Sequence, residues 1–236
     1  MIFQLMDSKI DCVGVYLPNK FVYNSIPSGI TKTWSWSPHL DGMDIDYAQL
    51  WVGGKSLDDV CPPELTVRWS AAQQLLKSHF KAFNTSEMNL DDICFYELVP
   101  QKHLQHYFDT KNEITSWVFN NIEKPKNYSF IKETFGNLRK LSQRPINLNK
   151  FGLYIQSETD LKAKHLYDQF EGKQVNIDYD VFGTVTGRLT TKKGSFPVLN
   201  LKKQLKNYVL PTNDVFLELD FNAAEVRTLL AKGRYT

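Results

Sequence analysis

Short apolar runs separated by turn residues open the chain, and within the first hundred positions they read mostly as short strands joined by turns. Asp11-Cys-Val-Gly-Val-Tyr-Leu17 and Phe21-Val-Tyr23 flank Pro18-Asn19-Lys20, which predicts a hairpin with its turn at the proline and asparagine. Residues 30–36 alternate weakly before Ser37-Pro38 and Asp41-Gly42 break the run. The period then becomes helical. Trp69, Ala72, Leu75, Leu76 and Phe80 predict a helix over residues 63–83, with proline in its first turn. Leu104, Phe108, Ile114, Trp117, Val118 and Ile122 predict another over 101–122, broken by Lys124-Pro125. Further helices are expected over 129–142, stopping before Pro145, and over 160–171, ending at Gly172. Beyond Val175 the texture changes again. A turn cluster, Pro211-Thr-Asn-Asp214, precedes an apolar strand over 215–219 and a helix over 223–231. There are no internal repeats. The pattern divides the chain near residues 100 and 180, into an N-terminal α/β region (1–100), a helical region (101–180) and a C-terminal segment (181–236).

Composition narrows this picture only in places. A chain of 236 residues allows one or two domains with a sizeable core, and 42% hydrophobic with 23% charged residues is ordinary for a folded protein. A net charge of +2 identifies no partner, but its distribution does more. Residues 181–213 contain no Asp or Glu and carry Arg188, Lys192, Lys193, Lys202, Lys203 and Lys206. That is the footprint of a phosphate-contacting segment, and its plainer alternative is a solvated basic face. Cys12, Cys61 and Cys94 are odd in number and far apart, against a disulfide framework or a zinc cluster and in favour of a reducing compartment. The first residues lack a basic region before a long apolar core, and no apolar run approaches the ~18 residues of a bilayer span. The expectation is a soluble cytoplasmic protein, in the host cytoplasm if it is viral.

Two residues carry candidate chemistry. Asp220 ends the predicted apolar strand and precedes a helix, a position from which a carboxylate can offer oxygen to magnesium. Its alternative role is local, because Asn222-Ala-Ala-Glu225 has capping-box spacing and an acid favours a helix start. Arg188 stands in the turn Gly183-Thr-Val-Thr-Gly-Arg-Leu-Thr-Thr191, where a guanidinium can reach phosphates or base edges or simply face solvent. Two other motifs fail. Gly53-Gly-Lys-Ser56 resembles the end of a phosphate loop, but Gln49 stands where the first glycine is needed. His103 and His106 are three apart on a predicted helix and have no third ligand in the sequence nearby.

Thr186-Gly-Arg-Leu-Thr-Thr191 followed by Asp220-Phe-Asn-Ala-Ala-Glu-Val-Arg227 resembles the family A DNA polymerases, the group of bacterial polymerase I and many phage replicative enzymes. The two motifs occur in the family's order, Pro211 stands where the family often has a proline, and the match covers residues 176–231. The resemblance implies template-directed nucleotidyl transfer with Mg2+, on primer–template DNA and deoxynucleoside triphosphates. It implies that Asp220 binds both magnesium ions and that the backbone carbonyl of Phe221 is a further ligand. Glu225 matches the glutamate that crowds the sugar 2′ position, and Arg227 closes the motif as support for the site. Arg188 matches the arginine that reads the minor groove at the primer terminus. Thr190, Lys192, Lys193, Lys202, Lys203 and Lys206 would hold the duplex through its phosphates.

The chain also departs from the family. Residues 195–204 replace the stretch P-N-L-Q-N-[IL]-P, and the spacing from Arg188 to Asp220 is shorter than in bacterial members. The fingers elements and the H-D-E motif with the second metal-binding aspartate do not occur in this sequence, and one carboxylate cannot build a two-metal clamp. The expectation is therefore the N-terminal part of a phage-type family A polymerase that leaves the family pattern after Ala231, through an intron, a frameshift or a split gene. Such a chain would be inactive alone and would need a second polypeptide. The alternative is a non-catalytic primer–template-binding subunit. Near the N-terminus, Phe3-Gln-Leu-Met-Asp7-Ser8-Lys9 follows the outline of the family's exonuclease strand, which ends D-x-E, with Lys9 in place of the glutamate. No nuclease activity is expected. The fold expected is α+β: an N-terminal α/β region that is either a degenerate exonuclease-like domain or unrelated to one, a helical thumb-like region, and a partial antiparallel palm.

Overall fold

Short alternating strands and one bulge build the first sheet, in a computed structural model that describes residues 1–8, 11–90, 92–218 and 220–233. β1 (Gln4–Ser8) pairs antiparallel with β2 (Asp11–Leu17), with a register shift between Met6 and Asp7. β2 returns through the predicted turn into β3 (Lys20–Tyr23), and Asn19 takes the left-handed conformation the turn needs, at φ 60°. Gly14 is required in β2: a Cβ there would lie 2.8 Å from both Met6 Cε and the carbonyl oxygen of Val22. On the other side of β1, a parallel bridge from Ile2 to Lys32 leads to β4 (Lys32–Thr33), which pairs parallel with β5 (Asp46–Tyr47).

Helices cover this sheet. The short α1 (Ala48–Trp51) and α2 (Leu57–Val60) precede α3 (Pro63–Thr85), which has proline at its start. α4 (Phe95–Leu98) leads into α5 (Gln101–Asn121), followed by α6 (Tyr128–Ser142). α5 packs on β1 and α3. Its stripe Leu104, Phe108, Ile114 and Val118 is buried. Met6, Tyr16, Val99, Leu104 and Phe108 form one core cluster, and Trp34, Ala48, Val52, Val118 and Phe119 a second. The Trp51 indole donates to the Ile122 carbonyl at 2.8 Å, and the Tyr128 hydroxyl accepts from the Tyr47 amide at 2.8 Å. Residues 53–56, which had the look of a phosphate loop, are a turn and a cap. Gly53 and Gly54 have φ of 66° and 82°, and Ser56 closes a capping box with Asp59 on α2.

The chain divides into two compact units, Met1–Asn137 with Val185–Gly187, and Leu138–Thr184 with Arg188–Thr236. The residues expected as a separate helical region from 101 onward thus lie, as far as Asn137, in the unit that holds the first sheet. The second unit takes the last residues of α6 from Leu138 and continues with β6 (Asn147–Leu148), α7 (Lys150–Ser157) and α8 (Leu161–Phe170). Asn149 and Asp160 cap the two helices through side-chain bonds of 2.8 Å to Gly152 and Lys162 amides. β7 (Tyr179–Asp180) pairs antiparallel with β8 (Thr190–Thr191); α9 (Lys203–Lys206) precedes β9 (Val209–Leu210), which pairs antiparallel with β6. Leu153, Ala163, Leu166, Phe170, Val175, Phe196, Leu201 and Leu205 form its core. α10 (Ala224–Lys232) closes the described chain.

The architecture is mixed α+β with small, mostly antiparallel sheets, in agreement with the class expected. The strand expected over 215–219 is not present in the described residues 215–218, which carry no regular secondary structure; Leu219 lies outside the described residues. A two-sided apolar segment holds a strand conformation only against a partner strand or a helix. Here Val215, Phe216 and Leu217 are exposed. Among the described residues no helix is long and apolar enough to cross a membrane.

Candidate nucleic-acid interface

The hairpin of β7 and β8 holds the T-G-R turn. Its entrance is fixed by Asp180, whose carboxylate accepts from the Phe182 amide at 2.9 Å, and by Gly183, where any Cβ would run into the Thr190 side chain. The Thr184 hydroxyl donates to the Arg188 carbonyl at 2.8 Å, and Gly187 has φ 76°, a conformation that favours glycine. Thr190 is consequently a strand residue, half-buried in β8. The Arg188 side chain leaves the turn 76% exposed.

The second motif reaches the same place from α10. Arg188 Nη2 donates to Glu225 Oε1 at 2.9 Å, and the Glu225 side chain is 78% exposed. This contact joins the two segments singled out in the sequence, although 37 residues separate them. It also takes Glu225 away from the capping box that was the alternative reading of the Asn222–Glu225 spacing. The N-cap of α10 is Ala223, at φ 55° and with no side-chain cap, so Glu225 turns to the guanidinium instead. Asp220 and Phe221 lie in the irregular segment before α10, both exposed. Arg227 is exposed on α10, and its amide donates to the Ala223 carbonyl at 3.0 Å. Magnesium at this place would find the Asp220 carboxylate and the Phe221 carbonyl as hard oxygen donors of the right chemical type. Among the described residues no group of three or more His, Cys, Asp or Glu side chains stands close enough to hold a metal.

The basic segment is less free than its sequence implies. Lys192 Nζ lies 3.0 Å from Asp178, which also accepts from Arg139 at 2.9 Å, and Lys202 Nζ lies 4.0 Å from Asp160. The acid-free stretch is thus partly neutralised by carboxylates that precede it in the chain and return to it in space. Lys193 is exposed next to Lys192, and Lys203 and Lys206 are exposed on α9. Among the described residues these three make no ion pair within 4.0 Å.

In the first unit, Asp7 is the penultimate residue of β1, and its carboxylate accepts from Ser37 Oγ at 2.7 Å. Lys9 lies outside the described residues. A different lysine bears on Asp7. Burial pushes the Lys111 ammonium on α5 down to about 8, against a smaller upward pull from the Asp7 charge. Burial, and then the Asp7 charge, push the Cys12 thiol up. The three cysteines are free. Sequence reasoning missed Lys111, Ser37 and Asp178. Only Lys111 left a signal, as a charge on the stripe of Leu104, Phe108, Thr115 and Val118. His103 does not act with His106: its Nδ1 lies 2.9 Å from Nε2 of His79 on α3.

No protein-family model matches this chain, and no curated protein or solved structure matches it.

Proposed function

We propose that this chain is a primer–template-binding part of a family A-like DNA polymerase. The observation that carries the reading is the Arg188–Glu225 contact, which unites the T-G-R turn with the segment of Asp220, Glu225 and Arg227. In this reading Arg188 leaves Glu225 for the minor groove at the primer terminus, and Lys193, Lys203 and Lys206 take phosphates without reading sequence. Asp220 and the Phe221 carbonyl hold magnesium, which supplies activation of the primer 3′-hydroxyl and charge stabilisation at the leaving group when bound. Glu225 then stands where a nucleotide sugar would be excluded by its 2′-hydroxyl. The second unit supplies the partial palm and α7–α8 the thumb-like helices of this reading. In the first unit, an exonuclease-like origin is supported by Asp7, one residue before the end of β1 at Ser8. The ammonium of Lys111 bears on that carboxylate, which disfavours a divalent metal there and hence hydrolysis.

Two-metal transfer needs a second carboxylate, so catalysis in this reading depends on a further polypeptide segment that brings one. A specific observation favours such a partner: Val215, Phe216, Leu217, Phe221, Leu229 and Leu230 are all exposed around the motif, an apolar surface suited to burial under further strands. The test is fluorescence anisotropy with a labelled primer–template duplex, alongside primer extension. The expected result is binding that Arg188→Ala weakens about tenfold and Asp220→Ala leaves within about twofold, with no extension by the purified chain. Absence of duplex binding at low salt would remove the whole reading. Primer extension that Asp220→Ala abolishes would remove the partner requirement and keep the polymerase.

A further inference from the structure

We propose that His79 and His103 form a two-imidazole site for a divalent transition-metal ion that ties α3 to α5. The inference does not depend on the nucleic-acid reading. His79 Nε2 and His103 Nδ1 face each other at 2.9 Å, with ring centroids 5.2 Å apart. The helices that carry them run antiparallel. Arg68 on α3 meets Glu113 on α5 through two hydrogen bonds of 2.9 and 2.6 Å, and Trp69 packs on Tyr107 at 5.0 Å. The pair therefore lies between two packed helices, with His103 in the first turn of α5 and His79 in the second half of α3. Phe83 lies 6.0 Å from the His79 ring and contributes an apolar wall. Both histidines are half-buried.

Without a metal, two facing ring nitrogens share one proton: one donates and the other accepts. A tetrahedral ion with metal–nitrogen bonds of about 2.0–2.1 Å needs its two nitrogens about 3.3 Å apart, so the rings need to part by a few tenths of an ångström and each to swing by roughly 35° until both lone pairs meet at the ion. Imidazole nitrogens select zinc, copper or nickel over magnesium or calcium. Only neutral imidazole ligates. Two protein ligands leave the remaining coordination positions to water. The bond balance is simple: as the donating ring gives up the shared proton it takes one from solvent on its other nitrogen, so both rings stay neutral, and each facing nitrogen gives its lone pair to the ion.

The test titrates Ni2+ into the metal-stripped full chain, with calorimetry for affinity and NMR of the five imidazole side chains for location. The expected result is one equivalent bound, with His79 and His103 signals broadened first by the paramagnetic ion. His79→Ala and His103→Ala each weaken that equivalent at least about tenfold, whereas His106→Ala and His165→Ala change it less than about twofold. Magnesium does not compete. If a variant fails to fold, location in the wild-type chain decides. Broadening that starts at His39, His106 or His165 overturns the proposal. So does an affinity indifferent to both substitutions, or the absence of binding at ~0.1 mM nickel near pH 7.5.

Discussion

Arg188 and Glu225 form an exposed ion pair, and such a pair stabilises a fold by about 1 kcal/mol at most. Its importance lies in charge and position. Glu225 partly neutralises the one arginine of the T-G-R turn, so Glu225→Gln should tighten duplex binding up to about threefold, and Arg188→Ala should weaken it about tenfold, both with the fold intact. Anisotropy titrations at fixed salt read both effects. Either residue was legible alone as a candidate, but their contact was not, because no local rule brings a turn to a helix 37 residues later. Lys111 makes a different prediction. Its ammonium titrates near 8 when folded and near an ordinary lysine's 10.5 when unfolded. The folded chain thus holds fewer protons than the unfolded one between about pH 8 and 10.5. The cost of the buried charge is present in full below pH 8 and is relieved as pH rises through that window. Lys111→Met should raise stability at pH 7 by about 1–3 kcal/mol, after allowance for the partial exposure of the residue, and flatten the wild-type rise between pH 8 and 10. Urea unfolding at several pH values checks both.

Long elements were legible because their signal repeats. The pattern over 63–83, 101–122, 129–142 and 160–171 returned as α3, α5, α6 and α8 within a few residues, since each carries several apolar positions at helical period. The hairpin of β2 and β3 was legible from its turn chemistry. The two-residue strands β4 to β9 left no such signal, because their existence depends on partners distant in sequence. The segment over 215–219 was misread for the complementary reason: it has strand composition, and its described residues have no strand beside them. The basic tract was misjudged likewise, since Asp178 and Asp160 reach Lys192 and Lys202 only through the fold. The element that steadies the T-G-R hairpin is the segment after β8. Phe196 is fully buried and packs on Phe170 at 5.7 Å. Phe196→Ala should cost about 3–5 kcal/mol and lower duplex binding along with folding. Thermal unfolding followed by near-ultraviolet circular dichroism measures the loss; a variant with unchanged melting would mean that the hairpin is held in some other way.

At the scale of the whole molecule, a net charge of +2 conceals an uneven surface. Lys193, Lys203 and Lys206 are exposed in the unit that also holds Arg188, Asp220 and Glu225. An electrostatic hold on duplex DNA releases counterions in proportion to the phosphates neutralised, so the salt dependence of binding counts the contacts. The decisive measurement is the slope of log Kd against log salt for a primer–template duplex, compared between the native chain and one carrying Lys193→Ala, Lys203→Ala and Lys206→Ala together. Three phosphate contacts predict affinity that falls steeply with salt in the native chain, and a slope shallower by about 2–3 in the triple variant. Equal slopes in the two proteins, or no binding at low salt, would contradict the assignment of this surface to nucleic acid.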